Sequence, residues 1–204
     1  MNLLASLRAF ASVILLTTGA AVSAAPVSFS VSPSSFTPGS GYGTGLGDLD
    51  VSFSANGAAT SFTLANAGDS NTFKFGTVTF NETGLILPAE TGNLGVSAVF
   101  SFLDPLAGLQ SVTATGTAFV GLVADAAVDF TIVWDALTVA FGNGGSFEIS
   151  MNSLSFSRGG QSLDQKATIK LLSAPTAAVP EPATLALALV ALAFAGGLAR
   201  RRAG

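Results

Sequence analysis

Along the middle of the chain, apolar and polar residues take turns. Val128, Phe130, Ile132 and Trp134 share one parity, while Asp129 and Thr131 take the other. Leu137, Val139 and Phe141 repeat the pattern, followed by Phe147, Ile149 and Met151, by Leu154 and Phe156, and by Ile169 and Leu171. Val96 to Phe102 alternates in the same way apart from Val99. Alternation at every second residue is what a strand with one buried and one wet face requires. No interior segment carries a sustained helical stripe, and Phe, Val, Thr and Ser suit a pleated surface. Repeated short strands joined by Gly-rich turns predict an all-β fold, an antiparallel β-sandwich that is jelly-roll-like.

Breaks in the alternation carry information too. Phe73 and Phe75 share one parity and Val78 and Phe80 the other, so the phase slips at Gly76-Thr77. A β-bulge there would restore the facing. Gly142-Asn143-Gly144-Gly145, between two alternating runs, reads as a hairpin turn. Ser32 to Gly47, with Pro33, Pro38 and five glycines from Gly39 onward, predicts a loop or an irregular edge. It lacks the spacing of a nucleotide-binding loop and opens no helix. Asn56 to Asn71 holds small polar residues around a short strand at Ser61 to Leu64. Thr113, Thr115 and Thr117 form one face of an ordinary strand rather than a repeated threonine array.

The two ends differ from this interior. Met1 to Ala25 carries one early charge, Arg8, then an apolar run from Ala9 to Leu16 and a small-residue stretch ending Val22-Ser23-Ala24-Ala25. That is the layout of a cleaved signal peptide, 1–24, with the cut between Ala24 and Ala25. The other end reads Val179-Pro180-Glu181-Pro182, an uncharged run from Ala183 to Ala199, then Arg200-Arg201-Arg202. Two prolines around a glutamate form a rigid break. As a helix, the run of 183–199 would reach about 26 Å, close to the thickness of a bilayer. It predicts a single transmembrane helix with the arginines held in the cytoplasm. The expected fold class is therefore an all-β sandwich with an N-terminal signal helix and a C-terminal transmembrane helix. The division is signal 1–24, β-domain 25–172, an Ala, Pro and Thr linker 173–179, extended in form, and a sorting segment 180–202.

Removing the ends changes the charge. Between Ala25 and Val179 four bases and eleven acids remain, so the net charge is −7, against −4 for the whole chain. An acidic surface disfavours nucleic acid as a partner. Cysteine and histidine are both absent. The first absence means that burial alone must hold the core. Together they exclude Ser–His triads, Cys nucleophiles and His-based zinc sites. Lys74, Lys166 and Lys170 stand among polar or alternating residues that indicate a wet face rather than a buried catalytic lysine.

Paired acids are the remaining chemistry. The candidates are Asp48 with Asp50, Asp125 with Asp129, and Asp129 with Asp135. Asp48 and Asp50 lie two apart and can share a face, either as a carboxylate pair or as a weak Ca²⁺ site with loop carbonyls. Solvated loop acids are the favoured reading, so no catalytic residue, metal or cofactor is expected and the chain is read as a non-enzyme. Trp134 has the parity of a buried residue, whereas Tyr42 in the Gly-rich loop is the better candidate for an exposed contact.

Pro180-Glu181-Pro182, the apolar run after Ala183 and Arg200 to Arg202 together resemble the PEP-CTERM sorting signal of Gram-negative bacteria. The resemblance implies an exosortase partner that recognises Pro180, Glu181 and Pro182, with Arg200, Arg201 and Arg202 as a cytoplasmic retention stop. The N-terminal layout adds passage through signal peptidase and the general secretion machinery. The expected location is an inner-membrane-anchored precursor that ends at the cell surface or in the extracellular matrix. Such proteins are linked to exopolysaccharide and biofilm. The expected function is thus a non-enzymatic surface or matrix protein, with a carbohydrate-binding or carbohydrate-active module as the alternative. The β-domain is loosely similar to the all-β domains that precede such signals, including Thr72 to Leu172 with its start Phe73-Lys74-Phe75-Gly76-Thr77-Val78.

Overall fold

The computed structural model describes residues 25–123 and 127–176. They fold as two antiparallel sheets, packed face to face and curled into half-barrels. The strands are β1 (Val27–Pro38), β2 (Val51–Ala55), β3 (Thr60–Leu64), β4 (Ser70–Phe80), β5 (Leu85–Ile86), β6 (Gly95–Asp104) and β7 (Gly108–Ala118). They continue with β8 (Gly121–Leu122), β9 (Phe130–Trp134), β10 (Leu137–Phe141), β11 (Gly145–Met151), β12 (Leu154–Phe156) and β13 (Gln161–Ser173). One sheet has six strands in the order β12-β9-β7-β6-β1-β3, and the other has five in the order β10-β11-β13-β4-β2. β5 and β8 form a separate two-stranded ribbon.

Alternation places the core. In β6, Val96, Ala98, Phe100 and Phe102 point inward, and in β11 Phe147, Ile149 and Met151 do the same. With no disulfide available, phenylalanine rings join the two sheets. Phe29 of β1 meets Phe147 of β11 edge-on at 5.2 Å, Phe75 of β4 meets Phe100 of β6 at 4.7 Å, and Phe80 of β4 stacks on Phe130 of β9 at 5.8 Å. Each such pair adds roughly 0.5–1.5 kcal/mol beyond the area it buries. The bulge predicted in β4 is present. Gln165 of β13 faces Gly76 while Lys166 faces Lys74, so Phe75 is the extra residue. Phe75, Val78 and Phe80 are all buried as a result. The hairpin predicted at Gly142 to Gly145 is also there, with Gly142 and Gly144 at φ 53° and 78°.

Three expectations need correction. The first concerns Ser32 to Gly47, expected as a loop or an irregular edge: 32–38 is the irregular end of β1, with a register shift between Pro33 and Ser35, and only the stretch from Gly39 is loop. Prolines are tolerated there because β3 pairs with β1 only as far as Val31, so Pro33 and Pro38 lie on a locally open edge. The second concerns Val128, which is exposed although its parity suggested burial, since β9 begins only at Phe130.

The third correction concerns helices, and with them membrane and location. Among the described residues no helix is long and apolar enough to cross a membrane. The one helical segment described is the 3-10 turn Pro88–Thr91, whose Glu90 carboxylate accepts the Leu87 N–H at 2.7 Å. Apolar runs in the described chain are short and alternate with polar positions, whereas a spanning helix needs about 20 continuous apolar residues. The segments expected to form the signal helix and the transmembrane helix, 1–24 and 183–199, lie outside the described residues. Among the described residues the fold class is therefore an all-β domain of two curled half-barrel sheets rather than a jelly-roll-like one, and it includes no membrane-spanning helix. The described structure thus lends no support to the expected transmembrane helix or to an inner-membrane-anchored precursor.

Candidate functional site

The Gly-rich loop after β1 turns the chain back so that Tyr42 bridges Leu49. Its backbone is fixed by Gly39 N–H to Gly95 O at 2.7 Å and by Leu49 N–H to Gly41 O at 2.9 Å. Tyr42 was the candidate for an exposed contact, but the structure uses it as a plug. Its ring lies edge-on to Phe53 at 5.1 Å and to Phe130 at 6.2 Å. Its hydroxyl donates to Leu94 O at 2.7 Å, and burial raises its pKa well above the ordinary tyrosine value. A half-buried phenol whose proton is already committed offers no sugar platform.

Asp48 and Asp50 are engaged separately. Side chains at Gly43 and Gly45 would meet the Asp48 carboxylate, 2.9 and 3.0 Å from where their Cβ atoms would stand, so these glycines make room for it. The Asp50 carboxylate accepts from Asn81 Nδ2 at 3.2 Å, and its N–H donates to Glu82 Oε2 at 3.3 Å. Among the described residues no group of three or more acidic, His or Cys side chains is arranged to hold a metal ion. Asp129 and Asp135 flank β9 at its two ends, about 20 Å apart along an extended strand and too far for a carboxylate pair. Asp125 lies outside the described residues.

Trp134 is buried as its parity required, and its indole N–H donates to Gln165 Oε1 at 2.9 Å. Gln165 is fully buried and donates through Nε2 to Asn152 O at 2.7 Å and to Asn152 Oδ1 at 3.0 Å. Sequence reasoning did not single out this network. The signal was present, because Gln165 shares parity with Ala167, Ile169 and Leu171 and so had to face the core.

Charge divides unequally between the faces. Lys74, Lys166 and Lys170 all stand on the outward face of the five-stranded sheet, as their wet surroundings predicted. Lys74 pairs with Asp164 at 2.6 Å, and that hydrogen bond holds the Asp164 carboxyl below its ordinary pKa. An open groove beside this pair is lined by Asn152, Ser155, Asp164 and Lys166.

The chain enters and leaves the domain at the same end. Ala25 and Pro26 are exposed just ahead of β1, whose Val27 pairs with Leu64. At the other terminus Thr176 N–H donates to Asn143 O at 3.0 Å, in the β10–β11 turn. Phe29 packs on both Phe141 and Phe147, which places these two exits at one pole. The first residues of the linker, 174–176, are thus tied back to the domain.

Comparison with known proteins supplies what the β-domain does not. Residues 178–203 match the PEP-CTERM protein-sorting motif. The match contains Pro180, Glu181, Pro182 and the three arginines, all outside the described residues. A PEP-CTERM motif implies an exosortase as partner. No curated protein and no solved structure matches the chain. The motif covers the C-terminal tail alone, so the family of the β-domain is not named by it.

Proposed function

We propose that this chain is an exported, exosortase-processed protein whose β-domain is a non-enzymatic component of the cell surface or extracellular matrix, associated with exopolysaccharide. The observation that carries the reading is the PEP-CTERM motif at 178–203, set directly behind a self-contained β-domain. The domain's character supports it. Its core is closed by phenylalanine rings without disulfides, and among the described residues no three acidic side chains gather into a metal site. The N-terminal stretch ending in Ala24 and Ala25 supplies the route of export, by signal peptidase after the general secretion machinery. The Pro180-Glu181-Pro182 segment then serves as the recognition element, with Arg200, Arg201 and Arg202 as the stop behind it.

The test is the intact mass of the protein from its own host, with and without the exosortase. A C-terminus between residues 179 and 182 that appears only with the enzyme supports the proposal. A mass that reaches Gly204 in both strains overturns it. Glycan cleavage by the purified domain would replace the structural role with the carbohydrate-active one.

A further inference from the structure

The β5–β8 ribbon carries a surface that neither the sorting signal nor the core accounts for. Leu85 pairs directly with Leu122, and Ile86 pairs with Gly121. Directly opposed residues in an antiparallel pair point to the same face, and neighbours along a strand to opposite faces. Ile86 is fully buried, so Leu85 and Leu122 face outward together, at 48% and 62% exposure. The same alternation brings Leu87 and Val120 to the outward side, at 43% and 56%. Phe119 and Val128 flank them and are also exposed. All six of these exposed residues are uncharged. The backbone beneath is held, with Val123 N–H donating to Gly84 O at 2.9 Å and Phe119 N–H to Asp129 O at 2.8 Å.

The size of the patch decides what it can do. Those exposures correspond to about 600 Å² over the six residues, the upper end of what a soluble monomer leaves uncovered. Two such patches face to face would remove about 1,200 Å² from water, the lower bound of a specific, stable interface. A lipid surface fits less well, because anionic membranes recruit clusters of bases. Lys74, Lys166 and Lys170 lie on the five-stranded sheet instead, leaving Arg158 as the described base near this end. A second copy of this chain also suits the electrostatics. The exported domain has a net charge of −7, and a face whose six exposed residues carry no charge lets two acidic copies meet with fewer charges opposed.

The geometry points to a homodimer formed through the outward face of the β5–β8 ribbon, with Leu85 and Leu122 at its centre. The absence of cysteine makes a clean test available, since any introduced thiol is the sole one in the chain. The full chain is examined by sedimentation equilibrium at micromolar concentration, alongside the double variant Leu85→Glu, Leu122→Glu. Separately, Leu122→Cys and Thr115→Cys are oxidised with diamide and run without reductant. Thr115 is exposed on the six-stranded sheet and serves as the control. The expected result is a dimer that the double glutamate variant converts to monomer with an unchanged circular dichroism spectrum. Leu122→Cys should cross-link at least tenfold faster than Thr115→Cys. A monomer throughout overturns the proposal. So does a dimer that survives the double variant, which would assign association to another segment such as 183–199. Equal cross-linking at the two cysteines overturns it as well, and does so even if the glutamate variant does not fold.

Discussion

Replacing Gln165 with leucine tests whether a buried amide, rather than shape alone, fixes the middle of β13 against β9. In the native domain Gln165 is fully buried, accepts from Trp134 Nε1 at 2.9 Å and donates to Asn152 O at 2.7 Å. Leucine keeps the volume roughly but removes both functions. Asn152 is exposed and can turn to water, so its loss is small. Trp134 is only 8% exposed, so its indole N–H would be left in an apolar site without an acceptor. Stranding one buried donor costs about 1–3 kcal/mol. Taking about 2 kcal/mol, a domain of this size should melt about 4–8 °C lower. The double-mutant cycle with Trp134→Phe isolates the bond. Once the donor is gone, leucine at 165 should cost about 1–2 kcal/mol less than in the native background. Urea unfolding followed by far-ultraviolet circular dichroism measures all four proteins, since Trp134 is the sole tryptophan and fluorescence would be lost with it. A Gln165→Leu loss under about 0.5 kcal/mol would refute the reasoning. Strict additivity of the two substitutions would refute it equally.

Two further predictions follow from the packing of the loop and the bulge. Tyr42→Phe should cost about 1 kcal/mol at pH 8 through the lost bond to Leu94 O. Burial raises the folded pKa of Tyr42, so the stability tied to its proton is present below the unfolded value, near 10, and declines as pH rises beyond it. The gap between native and Tyr42→Phe should therefore narrow from pH 9 to pH 11 in urea titrations; a constant gap contradicts the assignment. Gly76→Ala would press a methyl group into the Ser54 carbonyl oxygen and within 2.8 Å of the Phe36 ring. Overpacking of this kind costs about 1–3 kcal/mol. Gly92→Ala meets nothing within 4 Å and should stay within about 0.5 kcal/mol of native, so equal effects would argue against a tight bulge.

How much of this was legible in the sequence depends on how local each cause is. Period-two alternation is local, and β6, β9, β10, β11, β12 and β13 were each readable from it. The bulge in β4 was readable for the same reason, because a phase slip between Phe75 and Val78 admits few other remedies. β1 was half missed. Pro33 and Pro38 look like strand breakers unless the partner strand is known to stop early, and the length of β3 lies in another segment. Tyr42 was misplaced for a similar reason. Its hydroxyl is satisfied by Leu94, 52 residues away, and nothing near Tyr42 announces that contact. Asp48 and Asp50 have the spacing of a shared face, yet they lie outside any named strand. One carboxylate settles over Gly43 and Gly45, the other on Asn81. The sorting motif was fully legible because its signal is composition and order in one short stretch.

The placement of the two unexplained features bears on how they work together. β4 runs from Ser70, opposite Lys170, to Phe80, opposite Gln161. Ser70 lies at the pole where the chain enters at Ala25 and leaves at Thr176, because Leu171 N–H reaches Asp69 O and Gly68 N–H reaches Leu171 O. Phe80 lies at the other pole, a few residues before Leu85 and the ribbon. The 11 residues of β4 separate the two poles by about 33 Å at strand rise. An enzyme acting on the C-terminal tail approaches one end of the domain, and a second copy docking on the ribbon approaches the other. Neither event needs to displace the other, so a dimer could form before processing and survive it. Both proposals can therefore fail separately. Loss of processing would leave the ribbon as apolar as before, and loss of the dimer would leave the Pro-Glu-Pro segment untouched.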